Sequence, residues 1–278
     1  MKTTPIFVLV LIISLVLMSG CESVPVQPEH ENIKNDKTGV LSNLYINIKH
    51  RDTKDKPSSS DNHTALGAGY IGNKNYEKAM LKLQKAIKLD RTNARAYNYL
   101  GVLYWKLDEP ELAESNFIRS HELSPFDAAI NHNYAFFLCE QGNYEKGKEF
   151  YDKVFKNTLY DRLSQAHSQF GHCALKQNEL DLAKKNLQQA IQLEARNTDA
   201  LLGMAKLFYK KQKYKLSIYY YERYIDKEKQ TPDSLWLGIN LRRQIEDKNK
   251  LSSYILQLKN LYPDAEETLY FIDGKKTY

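Results

Sequence analysis

Three groups of residues in this chain of 278 have types and spacings that could do chemistry. Gly67-Ala68-Gly69-Tyr70-Ile71-Gly72 matches G-x-G-x-x-G, which cradles a pyrophosphate when it follows a strand and opens a helix. Here Ser-Ser-Ser-Asp-Asn-His precedes it, which is no strand. The seven histidines could bind metal or move protons, but their spacing does not gather them. His167 and His172 are five apart and point to different helix faces. His132 and Cys139 are seven apart, roughly 10 Å along a helix, too far for a dyad. There is no H-E-x-x-H, G-x-S-x-G or Walker loop. The reading is therefore no catalytic residue, metal, cofactor or small-molecule substrate. The third group is the cysteines Cys21, Cys139 and Cys173. What they do depends on the elements that carry them.

Composition narrows the class. Net charge is +6, with 42% hydrophobic and 27% charged residues; 12 Gly and 8 Pro are too few for a fibrous or low-complexity chain. Mean hydropathy of −0.60 excludes a multi-span membrane protein. The charge is mixed along the chain, a solvated surface rather than a nucleic-acid footprint. The 20 tyrosines are the odd count.

Residues 1–20 carry Lys2, an apolar run from Ile6 to Met18, then Ser19 and Gly20. That is the pattern of a secretory signal peptide, and the run is short of the roughly 20 residues a membrane span needs. Leu17-Met18-Ser19-Gly20-Cys21 resembles a bacterial lipobox, which implies lipidation of Cys21. Glu22 follows, which in enteric-type lipoproteins favours the outer membrane. Residues 21–59 are polar and turn-rich and read as a lipid-anchored flexible tether, with Leu41–Ile48 able to form a brief strand or helical turn.

From residue 60 the chain repeats. Small residues recur at Ala79, Ala113, Gly147, Ala183 and Ser217, and earlier in each unit at Gly67, Gly101, Ala135, Gly171 and Ala205. Large ones recur at Leu83, Phe117, Tyr151, Leu187 and Tyr221. The step is 34 residues, except for 36 between Gly147 and Ala183, an insertion near Leu159-Tyr160. This is the tetratricopeptide pattern of two antiparallel helices, A and B, per unit. The fold class expected is all-α, a right-handed superhelical solenoid of about six tetratricopeptide (TPR) helix hairpins over 60–265. The units run 60–93, 94–127, 128–161, 164–197, 198–231 and 232–265, with 266–278 as a tail. The G-x-G-x-x-G falls inside the first helix A. Asn75 and Asn143 stand where they can cap a helix B.

In this register Cys139 and Cys173 lie on the A helices of successive units. In an oxidising compartment the pair reads as one disulfide, Cys139–Cys173, with two buried thiols as the alternative. Helix-A positions that line the concave face of such a solenoid carry Asn98, Val102, Trp105, Lys106, His132, Phe136, Leu175, Lys176, Leu202, Lys206, Tyr209 and Trp236. As a set they read as an apolar, aromatic groove with a few lysines, suited to a segment of another protein.

Several stretches together resemble the type IV pilus biogenesis/stability lipoprotein family, the secretin pilot proteins. They are Asn73–Leu89, Leu107–Ala113, Asn133–Tyr144 and Gly171–Lys176. That family shares the cysteine pair, the insertion and the lipidated start; Gly147, where Ala is usual, is a departure. The resemblance implies a pilotin on the periplasmic side of the outer membrane. Such a protein binds a secretin subunit in the groove of its N-terminal repeats and helps it form the pilus pore. A general envelope scaffold is the alternative.

Overall fold

A computed structural model describes residues 57–272. The residues read as leader and tether up to residue 56, Cys21 among them, lie outside them, as do residues 273–278. The described residues form thirteen α-helices and no strand. Six hairpins follow one another: α1 (Ser59–Gly72) with α2 (Tyr76–Leu89), and α3 (Ala94–Lys106) with α4 (Pro110–Leu123). Then come α5 (Ala128–Glu140) with α6 (Tyr144–Phe155), and α7 (Leu163–Lys176) with α8 (Leu180–Leu193). The last two are α9 (Thr198–Lys210) with α10 (Tyr214–Ile225), and α11 (Pro232–Gln244) with α12 (Lys248–Leu261). Each helix A packs on its own helix B and on the neighbouring A helices, and from α3 onward also on the preceding B. This is a TPR solenoid.

Within a hairpin the helices touch where the small residues sit. A Cβ on Gly101 would lie 2.9 Å from the Phe117 ring, and one on Gly171 would lie 2.6 Å from Leu187 Cγ. The large partners Leu83, Phe117, Tyr151, Leu187 and Tyr221 are fully buried. Two departures from the small-residue pattern have physical reasons. Ser217 donates its hydroxyl to the Ala205 carbonyl at 2.6 Å, so its polar atom is satisfied across the helix pair. A Cβ on Gly147 would meet Cys139 Sγ at 3.0 Å; the sulfur occupies the room an alanine methyl would need.

The A-to-B turns are all one device. Lys74, Asp108, Gly142, Asn178, Gln212 and Glu246 each have φ between 54° and 78°. The N–H after each donates back five residues, as in Asn75 to Tyr70 O (2.9 Å) and Lys213 to Phe208 O (2.8 Å). This is the Schellman closure, which satisfies carbonyls left open at a helix end. Only one of the six turns uses glycine there. Asn75 caps α2 by accepting from Lys78 N–H at 3.2 Å. Asn143 holds the equivalent place without that bond, and nothing in its surroundings explains the difference.

Two features lie beyond the hairpins. The insertion becomes a longer connection, 156–162, between α6 and α7. The segment read as a tail contains α13 (Glu266–Ile272), which packs on α11 and α12. Its Thr268 is buried, with its hydroxyl donating to Tyr262 O at 2.7 Å. Pro263 stops α12 and lets the chain turn back over the end of the stack.

Gly171→Ala should lower stability by about 1–3 kcal/mol, because Leu187 has nowhere to go. Gln212→Gly should raise it by up to about 1 kcal/mol by relieving a left-handed backbone. Urea unfolding of the two variants measures both signs.

Candidate partner-binding groove

Because α1, α3, α5, α7, α9 and α11 contact each other in succession, their shared face is continuous. The twelve groove residues do lie on these A helices, but they divide into two kinds. Asn98, Val102, Trp105, His132, Phe136, Leu175 and Trp236 are buried. Lys106, Leu202, Lys206 and Tyr209 are partly exposed, and Lys176 is exposed. Most of the apolar and aromatic residues expected to line the groove are thus buried in the packing. Trp105, Phe136 and His132 reach across to a neighbouring helix A and fill the seam there. The Trp105 ring stands edge-on to Phe136 at 5.3 Å and to Phe137 at 5.5 Å. Arg243 lies over the Trp236 ring at 5.9 Å.

The exposed stations are largely ionic. Lys176 pairs with Glu140 at 2.6 Å, linking α7 to α5. Lys206 pairs with Asp233 at 2.6 Å, linking α9 to α11. Surface pairs of this kind stabilise by only about 0–1 kcal/mol, so a partner's own charges could replace them cheaply.

The middle of the face is a sealed polar knot. His132 Nε2 lies 2.7 Å from Gln169 Oε1, and its Nδ1 lies 2.9 Å from the Tyr160 hydroxyl. An amide oxygen only accepts, so Nε2 carries the proton and the tyrosine donates to Nδ1. Tyr160 comes from the insertion, which reaches back onto the preceding repeat. A 34-residue period carries no signal for that contact; the insertion at Leu159-Tyr160 was the one available hint. Burial, with the nearby Arg162 charge, pushes the His132 pKa down to about 3. His172, donating to Asp199 O at 2.8 Å, is pushed down to about 4, chiefly by burial. Both rings are neutral in the fold at physiological pH. Neither contacts a nucleophile, and no group of three potential ligands among the described residues could hold a metal ion.

Cys139 and Cys173 face each other across the seam of α5 and α7, with Cα atoms 5.8 Å apart and sulfurs at bonding distance. They sit on the same two helices as Phe136 and Leu175.

Comparison with known proteins agrees with this geometry. Residues 70–108 match the "TPR repeat" family and residues 169–234 the "Tetratricopeptide repeat" family. The type IV pilus assembly protein PilF of Pseudomonas aeruginosa is 31% identical over 214 residues, 77% of this chain and 85% of that protein. The chain belongs to the PilF family. A solved structure of P. aeruginosa PilF superposes with a TM-score of 0.69 at 31% identity, over 78% of this chain and 97% of that one. The structure of PilW, described as a widely conserved type IV pilus biogenesis factor, gives 0.70 at 24% identity, over 78% and 100%. At that identity the second likeness speaks for the fold alone. The family makes this a TPR protein of type IV pilus biogenesis.

The neutral histidines predict a pH dependence. Unfolded, each would titrate near 6.5, so below that pH the unfolded chain binds the extra protons. Stability is complete above pH 6.5 and falls as pH drops toward the folded values. At pH 5, His132 alone should cost about 2 kcal/mol. Denaturant melts from pH 7 to pH 4.5 should show this decline, and His132→Gln should make it shallower.

Proposed function

We propose that this chain is a pilotin: an outer-membrane lipoprotein, anchored through Cys21 and facing the periplasm. It binds the secretin subunit of the type IV pilus through the A-helix groove and promotes its localisation, multimerisation and pilus assembly. The observation that carries this is the 31% identity to PilF spread over 85% of that protein. A preformed face of packed A helices, with ionic pairs at its rim, suits an extended or helical protein segment. The role is a scaffold's, with no chemical step.

We take Cys139 and Cys173 to be bridged in the secreted protein. The bond would close a loop of 34 residues, worth roughly 3–4 kcal/mol in the chain-entropy model. It would also lock the two A helices on which Phe136 and Leu175 sit.

Deleting the gene should leave monomeric secretin and few pili. Normal secretin multimers in the deletion strain would refute the pilotin role. Capture of barrel-assembly components instead of secretin would favour a general envelope scaffold. Because Trp105 and Phe136 hold the seam, groove variants belong at exposed stations. At these partly exposed stations, Lys106→Gln combined with Lys206→Gln should weaken secretin capture about tenfold or more while the melting temperature stays nearly unchanged, since a surface ion pair such as Lys206–Asp233 stabilises little. Unaltered capture would move the site to the B-helix face. Thiol titration of the unreduced protein should count neither Cys139 nor Cys173, and reduction should lower its denaturant midpoint.

A further inference from the structure

A solenoid has two ends, and at each the face that a neighbouring hairpin would bury is left over. At the C-terminal end α13 packs on α11 and α12 and supplies the cover. At the N-terminal end no described element does. The repeat register makes the gap measurable. The position held by Leu100, Tyr134, Phe170, Met204 and Leu237 is at most 6% exposed, because a preceding helix B lies over it. In α1 the same position is Leu66, and it is 49% exposed. One turn before it, Asn62 is exposed where Ala96, Ile130, Ala166 and Ala200 are buried. One turn after it, a Cβ on Gly69 would meet nothing within 4 Å, whereas Leu103, Phe137 and Leu207 are buried in that place. Asn62, Leu66 and Gly69 follow at i, i+4 and i+7, so they form one open stripe along α1.

We propose that this stripe is the docking site of the chain's own residues 41–48, Leu-Ser-Asn-Leu-Tyr-Ile-Asn-Ile. They lie outside the described residues. Three observations favour them over other occupants. Leu41, Leu44, Tyr45 and Ile48 recur at i, i+3, i+4 and i+7, the spacing of one apolar helix face. They form the densest apolar run between Glu22 and Pro57. The connection is also long enough: residues 49–58 span up to about 33–36 Å when extended, against about 21 Å for the 14 residues of α1. The capping box of Ser58 and Asp61 fixes where the chain enters α1, so the segment would return antiparallel over Leu66. The glycine at 69 leaves room for a side chain of the segment to approach the α1 backbone.

Docking would shorten the tether. If Cys21 is the anchor, which rests on the lipoprotein reading above, the free chain drops from residues 22–58 to residues 22–40. Its mean span falls from about 33 Å to about 24 Å. The first repeat would then be held closer to the membrane and in a narrower range of orientations. The docking itself does not depend on the pilus function.

Hydrogen exchange read by mass spectrometry on the chain from residue 22 onward tests this, at low and high protein concentration. The amides of 41–48 should exchange about tenfold or more slowly than in a free peptide of the same residues. Leu44→Glu should bring them to the peptide rate and speed exchange in α1, while α5 to α8 keep wild-type protection. Leu66→Glu should do the same from the other side; Leu44→Glu guards against the chance that Leu66→Glu merely unfolds the first hairpin. Peptide-like exchange of 41–48 in the wild-type chain would overturn the proposal. So would α1 protection that rises with concentration while 41–48 stays unprotected, which would make a second copy the occupant.

Discussion

Everything in this molecule depends on how closely helix A approaches helix B. At Gly101 and Gly171 the gap is too small for a methyl group, and the space is taken by Phe117 and Leu187. Burying a side chain of that size stabilises by about 1.5–3 kcal/mol, and the hairpin can bury it only if the opposite residue is small. The small–large pair therefore sets the pitch of each hairpin. The Schellman turns then fix the reversal with backbone bonds, which is why residues as different as Lys74, Asp108 and Glu246 can hold a left-handed conformation. Packing pays for that strain.

Close approach within hairpins forces close approach between them. The A helices form one continuous row, and their large groove-side residues become seam filler. α5 shows the consequence most fully: every residue from Ile130 to Cys139 is buried, polar ones included. His132 is then tolerable only as a neutral ring with both nitrogens engaged, and Gly147 is tolerable because a cysteine sulfur fills its place. The centre of the groove is closely packed for the same reason.

The division between what the sequence reveals and what it hides follows from this. Small and large residues at a fixed step report contacts inside one hairpin, so the six hairpins and the G-x-G-x-x-G placed inside α1 were legible. Contacts between repeats have no period of their own. The burial of Trp105 and Phe136 and the pairing of Glu140 with Lys176 depend on how two units meet, and the reach of Tyr160 to His132 on an insertion outside the 34-residue step. α13 was hidden for another reason. Its seven residues are too few to show a helical pattern, and it is held by the surface it covers.

A groove whose aromatics are already spent on packing binds differently from an open hydrophobic cleft. Its apolar edges are presented only where two A helices meet, and between those edges stand cation–anion pairs that bridge neighbouring repeats. Affinity must then come from shape fixed in advance, since little side-chain entropy remains to be lost on binding. Specificity must come from the rim charges, which favour partners with matching charge spacing and repel others. Such a surface can hold a segment firmly without deep burial.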